Sequence, residues 1–454
     1  MSGGAPQGRF GRWRQRGRGL LAALPAGAPW LDRVVVLAFA TATGLVVVGF
    51  TLLSEAASHG FELLRQWGPY GVVLTLLWTP ALTVGVLWWT RRFAPSTVGS
   101  GIPQVVRALE DDLDPAQRSW LVSLRVSMHK LLLVSGGLLA GLSIGREGPT
   151  VQVGAGIMVG ARRRLSSRSG LDSHDLMVAG AAAGIAAAFN TPLGGIVFAL
   201  EQLSRRRGMS HSALVIASIV LAGLVSVSAF GNITYFGQLR VQQLSWSLLG
   251  PGVMVALAAG AAGGLFSRLL VLSTRGAPDR FCRWRQAYPL RFAAACAFAV
   301  AVIGIVSGGN TAGAGYAPTR GLLEGQDDLP ALFTLLKFCA TWLSAWTGVP
   351  AGVFAPSLTI GAGIGRDVAW LAGVGPEATL PLIALGMVGF LAATTQGPIT
   401  AFIIVMEMVA GQAMVLSLMA CALLASGVSR MIAAPMYEAL AAMVPVPASQ
   451  RGGT

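Results

Sequence analysis

Apolar stretches recur along the chain, separated by short polar, glycine-rich or basic links. The clear runs are Val34–Leu53, Gly71–Trp89, Leu131–Leu142, Leu176–Leu200, Ala213–Phe230, Val253–Val271, Phe292–Val306, Leu332–Trp346, Leu380–Met408 and Met414–Val428. A regular helix needs roughly 20 apolar residues to cross a hydrocarbon core of about 30 Å. Several runs reach that length, whereas Leu131–Leu142 and Leu332–Trp346 do not, and others are broken by Gly and Pro. The pattern predicts an all-α integral membrane bundle in which spanning helices alternate with broken and half-length ones. Irregular backbone at membrane depth is tolerated where it lines a buried site. The first run is of spanning length and no small-residue cleavage pattern follows it, so an uncleaved first helix is expected rather than a signal peptide.

Composition agrees. Of 454 residues, 54% are hydrophobic and 11% charged, against about 25% charged in soluble domains. The net charge of +14 is not spread as a nucleic-acid surface would be. Its arginines gather at Arg9–Arg18, Arg162–Arg164, Arg205–Arg207 and Arg275–Arg285, each cluster next to an apolar run. That placement is what positive-inside topology produces. The expected plan is a basic cytoplasmic tail at 1–30, a transmembrane domain at 31–440 and a short tail at 441–454, multi-pass in the cell (plasma or inner) membrane. Membrane lipid is the expected surrounding partner and nucleic acid is not. The four cysteines, Cys282, Cys296, Cys339 and Cys421, form no metal-ligand spacing. No metal or other cofactor is expected.

An internal repeat organises the chain. Gly145–Ile157 and Gly352–Ile364 both read G-x-x-x-P-S/T-V/L-x-V/I-G-A-G-I, 207 positions apart. Pro192 precedes Glu201, and Pro398 precedes Glu407, by the same interval, 206 positions apart. Two matches at nearly one offset indicate a duplicated unit, with halves at roughly 70–230 and 250–440. Inverted duplication, with the site between the halves, is common in transporters.

Each repeat match places permissive Gly before a Pro that opens a helix. Gly99-Ser100-Gly101-Ile102-Pro103 is a third such start. A helix start carries unpaired N–H groups and partial positive charge, so several converging inside a membrane would suit an anion. Such a site holds the anion without a full positive charge, and the anion can leave again.

In order and spacing, Gly99–Pro103, Gly145-Arg146-Glu147-Gly148-Pro149, Gly352-Val353-Phe354-Ala355-Pro356 and the late Pro435-Met436-Tyr437 resemble the signature of the CLC chloride channels and chloride/proton exchangers. The resemblance covers nearly all of the membrane region. It implies an inverted-repeat homodimer whose subunits each carry an anion pathway for chloride or other small anions. It further implies that Glu147 is the external gate, whose carboxylate occupies the anion's place until a proton releases it. Ser100 and Tyr437 would donate hydroxyls to the central anion. Gly101, Ile102, Arg146, Gly148, Val353 and Phe354 would supply the surrounding helix starts. Fluoride exporters of the family depart from Ser and Tyr at these two positions, and nitrate-preferring members tend to carry proline at the first. Chloride is therefore the anion expected.

One position departs from the exchanger pattern. Many exchangers carry two glutamates where this chain has Glu201 and Gln202, and the second takes up the inner proton. An amide does not titrate. Glu201 is expected to be either a structural carboxylate paired with nearby arginines or part of a proton route. Two transport readings stay open, proton-coupled chloride exchange and a passive chloride channel. An enzyme is not expected, because no G-x-S-x-G elbow or deep nucleophile–base pair occurs.

Overall fold

A computed structural model describes residues 29–166, 169–204, 212–231, 236, 246–276 and 279–448. The first half runs through α1 (Pro29–Arg65), α2 (Gly71–Phe93), α3 (Ile102–Ala108), α4 (Pro115–Leu121), α5 (Leu124–Leu139), α6 (Glu147–Val159), α7 (Ser173–Phe189), α8 (Pro192–Phe198) and α9 (Ser212–Phe230). The second half runs through α10 (Leu249–Arg275), α11 (Arg280–Ala287), α12 (Pro289–Val306), α13 (Tyr316–Leu323), α14 (Phe333–Trp346), α15 (Phe354–Leu371), α16 (Pro376–Thr395), α17 (Pro398–Met408) and α18 (Val415–Ile432), and α19 (Met436–Ala441) closes it. Among the described residues the only β-type pairings are two isolated bridges, and eight helical segments are long and apolar enough to cross a membrane. The all-α bundle of full, broken and half-length helices expected from the apolar pattern is the one observed. The arginines at 9–18 and 205–207 lie outside the described residues.

Duplication is visible in the contacts. α9 packs on α1 and α7, and α18 packs on α10 and α16. α7 ends at Asn190 and α16 at Gln396, both left-handed at φ 58° and 51°. Gly154 of α6 faces Gly180 of α7 so closely that a Cβ on Gly154 would lie 2.1 Å from the Gly180 carbonyl oxygen. At the repeat-related place, a Cβ on Gly361 would lie 2.2 Å from the Gly386 carbonyl oxygen. Backbone-to-backbone packing of this kind accounts for part of the high glycine content.

The two halves also exchange equivalent contacts. Gly145 donates to the Gly352 carbonyl at 2.7 Å, and Gly352 donates back at 3.0 Å. The Glu201 carboxylate accepts from Ile399 and Thr400 N–H at 3.1 and 2.8 Å, and that of Glu407 accepts from Leu193 and Gly194 N–H at 3.3 and 2.8 Å. A contact and its counterpart with the halves swapped coexist when the operation relating the halves is its own inverse, which is a two-fold rotation. The axis passes by the Gly145–Gly352 bridge. Around it α6, α7, α15 and α16 are buried along most of their length. The outer helices expose large apolar side chains such as Leu45, Leu77, Leu224 and Leu416, as a lipid-facing surface requires.

Candidate anion site

Two longer helices start at the axis. α6 begins at Glu147 after Arg146, and α15 begins at Phe354 after Val353. Pro149 and Pro356 lie in their first turns, where a missing N–H costs nothing. The Gly145–Gly352 bridge holds the two starts together, and a Cβ on Gly145 would fall 3.0 Å from the Pro356 ring. α3 starts beside them. Its leading residue Gly101 sits at φ 99°, a conformation that side chains resist, and Ile102 is fully buried. A Cβ on Gly148 would meet Ser100 Oγ at 2.4 Å, so the α6 backbone lies directly against that hydroxyl.

α19 packs on α3 and brings Tyr437 to the same place. The Tyr437 ring stacks on Phe354 at 6.1 Å between centroids and 12° between planes. Its hydroxyl and Ser100 Oγ are near enough to interact, yet neither reaches hydrogen-bond geometry with any described residue. Buried hydroxyls are ordinarily satisfied. Two that converge beside helix starts form a donor pair suited to a small anion. Ser100, Gly101, Ile102, Arg146, Glu147, Gly148, Val353, Phe354 and Tyr437 are thus gathered around one point.

Glu147 is fully buried at the first position of α6. Tyr316, at the first position of α13, donates its hydroxyl to Glu147 Oε1. Oε2 makes no hydrogen bond among the described residues and lies 2.5 Å from where a Gly145 Cβ would be. The Arg146 guanidinium points away from the donor pair. It donates to the Thr51 carbonyl at 3.0 Å, pairs with Glu55 at 3.2 Å, passes 3.8 Å from Glu147 Oε1 and covers the Tyr316 ring at 5.4 Å. Arg146 and Tyr316 share the wall of a cavity of about 470 Å³ with Glu55, Arg65 and Asn310. A larger cavity of about 980 Å³, lined by Arg125, His129, Arg163 and Arg164, does not touch these residues.

The neighbourhood of Glu201 and Gln202 is a different one.

 The Gln202 amide lies against Gly397 at the start of α17, where a Cβ would fall 2.1 Å from Gln202 Nε2. Glu201 caps that same helix start through Ile399 and Thr400 N–H. These backbone groups are its described partners, and the arginines at 205–207 lie outside the described residues. Phe198, one turn earlier, contacts the Phe354 ring at 6.4 Å. Asp172, His174 and Asp175 bring ligand-type atoms within 4.8 Å of one another near the start of α7, where Asp172 caps the helix by accepting from Asp175 N–H at 2.8 Å.

The sequence reading missed three residues that shape the site. Lys130 of α5 is fully buried, and its Nζ donates to the Thr97 and Gly99 carbonyls at 2.7 Å each, which fixes the loop leading to Ser100. Lys337 of α14, also fully buried, donates to Thr311 and Gly313 at 2.9 Å each, which fixes the loop leading to Tyr316. The two lysines are 207 positions apart, the offset of the main repeat match. Tyr316 itself follows Gly313-Ala314-Gly315, an echo of Gly99-Ser100-Gly101 with a different residue at the helix start.

Comparison with known proteins identifies the family and the fold. A family model described as voltage gated chloride channel matches residues 81–430. The H(+)/Cl(-) exchange transporter ClcA of Cronobacter sakazakii is 31% identical over 378 residues, covering 78% of this chain and 76% of the relative. The fold is similar to that of a slow cyanobacterial Cl-/H+ antiporter, with a TM-score of 0.76 and 24% identity over 90% of this chain and 97% of that one. It is also similar to that of a CLC-type fluoride/proton antiporter, with a TM-score of 0.73 and 22% identity over 90% of this chain and 97% of that one. The family match spans most of the chain, and the helix starts meet at the signature residues: the chain belongs to the CLC family of voltage gated chloride channels.

Proposed function

We propose that the protein carries chloride across the cell membrane in exchange for protons. The observation that carries this reading is a buried carboxylate, Glu147, at the start of α6, whose next residue, Gly148, lies against Ser100 Oγ, while Tyr437 stacks on Phe354 at the start of α15. A titratable group inside an anion's path makes occupancy by the anion and protonation of the group interdependent. When ionised, the carboxylate competes with the anion for the positive helix starts; when protonated, it gives up that place. Ser100 and Tyr437 favour chloride, since the family's fluoride exporters depart from this pair. The reading is of a carrier, which the similarity to proteins named as exchange transporters supports.

Gln202 favours a second reading, a passive chloride conductor. The two are separated with purified protein in chloride-loaded liposomes, by following chloride efflux and external pH together while a potassium gradient sets the voltage. Proton uptake against its gradient, driven by chloride, identifies an exchanger whose proton route bypasses Gln202. Chloride efflux with a constant pH identifies an uncoupled conductor.

The same reading extends to organisation. The membrane domain spans 31–440, flanked by tails at 1–30 and 441–454. The halves are read as roughly 70–230 and 250–440, and the pairing of α1 with α9, matched by that of α10 with α18, supports counting α1 with the first half. A homodimer in the plasma or inner membrane, with lipid around it, follows from family resemblance.

A further inference from the structure

We infer that Tyr316 is the latch of the Glu147 gate: its hydroxyl holds the carboxylate in the pathway, and Arg146 holds the ring that carries the hydroxyl. This inference rests on the reading of Glu147 as the gate. The hydroxyl donates to Glu147 Oε1, and Oε2 has no hydrogen bond among the described residues, so Tyr316 is the side-chain hydrogen bond that orients the carboxylate. The ring is set from two sides, by the Arg146 guanidinium 5.4 Å above it and by Phe236 at 5.9 Å. Arg146 is itself anchored to the Thr51 carbonyl and to Glu55.

Repeat symmetry shows why a latch arises here. Gly99-Ser100-Gly101-Ile102 and Gly313-Ala314-Gly315-Tyr316 are two copies of one loop. Each is held by a buried lysine, and each has left-handed glycines at its first and third positions, φ 70° and 99° in one copy, 60° and 88° in the other. Gly101 lies against Gln152 and Gly315 against Thr359, again 207 positions apart in α6 and α15. The first copy offers its hydroxyl from the loop, at Ser100. The second has Ala314 there and offers a hydroxyl from the helix start, at Tyr316. The longer side chain reaches the gate carboxylate.

A hydroxyl that donates to one oxygen of a buried carboxylate holds it in place, so removing the donor should free the gate. Charged or titratable groups near the gate are Glu55, Glu62 and Arg65 of α1, which line one cavity with Arg146 and Tyr316, together with Lys130 of α5 and Tyr437 of α19, while Arg125 and His129 of α5 line a different cavity. α15 carries none before Arg366, α7 none after Asp175 and α3 none before Arg107. A change that keeps the Tyr316 ring keeps the contact with Arg146.

The test is chloride flux in liposomes across a pH series. Tyr316→Phe keeps the ring and removes the hydroxyl. It should raise flux at neutral pH by about tenfold. Replacing Tyr316 by 3-fluorotyrosine, a stronger donor of nearly the same size, should lower it. In a Glu147→Ala background, Tyr316→Phe should change nothing. Flux unmoved by both replacements, or an equal rate change in the Glu147→Ala background, overturns the latch. Full pH dependence retained by Glu147→Ala alone overturns the gate reading itself.

Discussion

Gly145 and Gly352 exchange both of their backbone hydrogen bonds, at 2.7 and 3.0 Å, and so join the two halves of the chain, each two residues ahead of its helix, α6 or α15. The bridge needs residues without side chains. A Cβ on Gly352 would meet the Gly145 carbonyl oxygen at 2.6 Å and the Pro149 ring at 2.8 Å. Both are rigid atoms that cannot rotate away. The bridge therefore ties the separation of the two helix starts to two glycines 207 positions apart.

Gly352→Ala should push the α6 and α15 starts apart. Overpacking a rigid contact costs about 1–3 kcal/mol. Thermal unfolding in detergent should shift to lower temperature, and chloride flux should fall further than the stability loss alone explains. Gly427→Ala, in α18 with no atom within 4 Å of the added carbon, is the control and should leave both unchanged. Equal flux in the two variants would count against a role for the bridge.

The donor pair leads to a direct binding test. Tyr437→Phe removes one hydroxyl and keeps the stack on Phe354. Ser100→Ala removes the other. A hydrogen bond to an ion is worth about 1.5–3 kcal/mol, so each variant should bind chloride at least roughly tenfold more weakly by titration calorimetry. The fold should persist, because neither hydroxyl holds another described residue in hydrogen-bond geometry. Unchanged chloride binding in both variants would remove the pair from the site.

Much of this was legible in the chain. The Gly145–Ile157 and Gly352–Ile364 match located the helix starts because a close backbone approach admits few residues besides Gly, and Pro marks a first turn. Glu147, Ser100 and Tyr437 stood inside those motifs. Lys130 and Lys337 did not stand out, because an isolated lysine in an apolar run looks like an interfacial side chain until its carbonyl partners are known. Tyr316 was hidden for a different reason. Its loop repeats Gly99–Ile102 at a spacing of 214, while the main match runs at 207, so only the glycine pattern and the following Pro318 could have pointed to it. The partners of Glu201 were invisible as well, since they are backbone N–H groups from the opposite half.

The two lysines should separate structure from function. Lys130→Met and Lys337→Met each leave two loop carbonyls without their donor, at a cost of about 1–3 kcal/mol per group left unsatisfied. Both should lower the unfolding temperature by similar amounts. Their transport signatures should differ. Lys130→Met loosens the loop at Gly99 and should weaken chloride binding through Ser100. Lys337→Met loosens the loop at Gly313 and should change the pH profile of flux through Tyr316 and Glu147. Identical flux-versus-pH and binding curves for the two would show that the loops do not act separately.

Substitution of Gln202 tests the coupling directly. Its amide rests on Gly397, and a carboxylate of nearly the same shape fits the same place. Neighbouring Glu201 already accepts two backbone N–H bonds at the α17 start, so taking up a proton there would weaken a helix cap. If the protein exchanges chloride for protons, the inner route bypasses Gln202, through water or through Glu201. Gln202→Glu then adds a titratable step to an existing route. It should raise the proton flux while leaving the number of chlorides moved per proton unchanged. Gln202→Ala should keep the parent's ratio as well. Simultaneous recording of chloride efflux and pH in liposomes reads all three proteins. A parent that moves no protons beside a Gln202→Glu variant that does would reverse the conclusion: the parent would be a passive chloride conductor, and the amide would be what uncouples it.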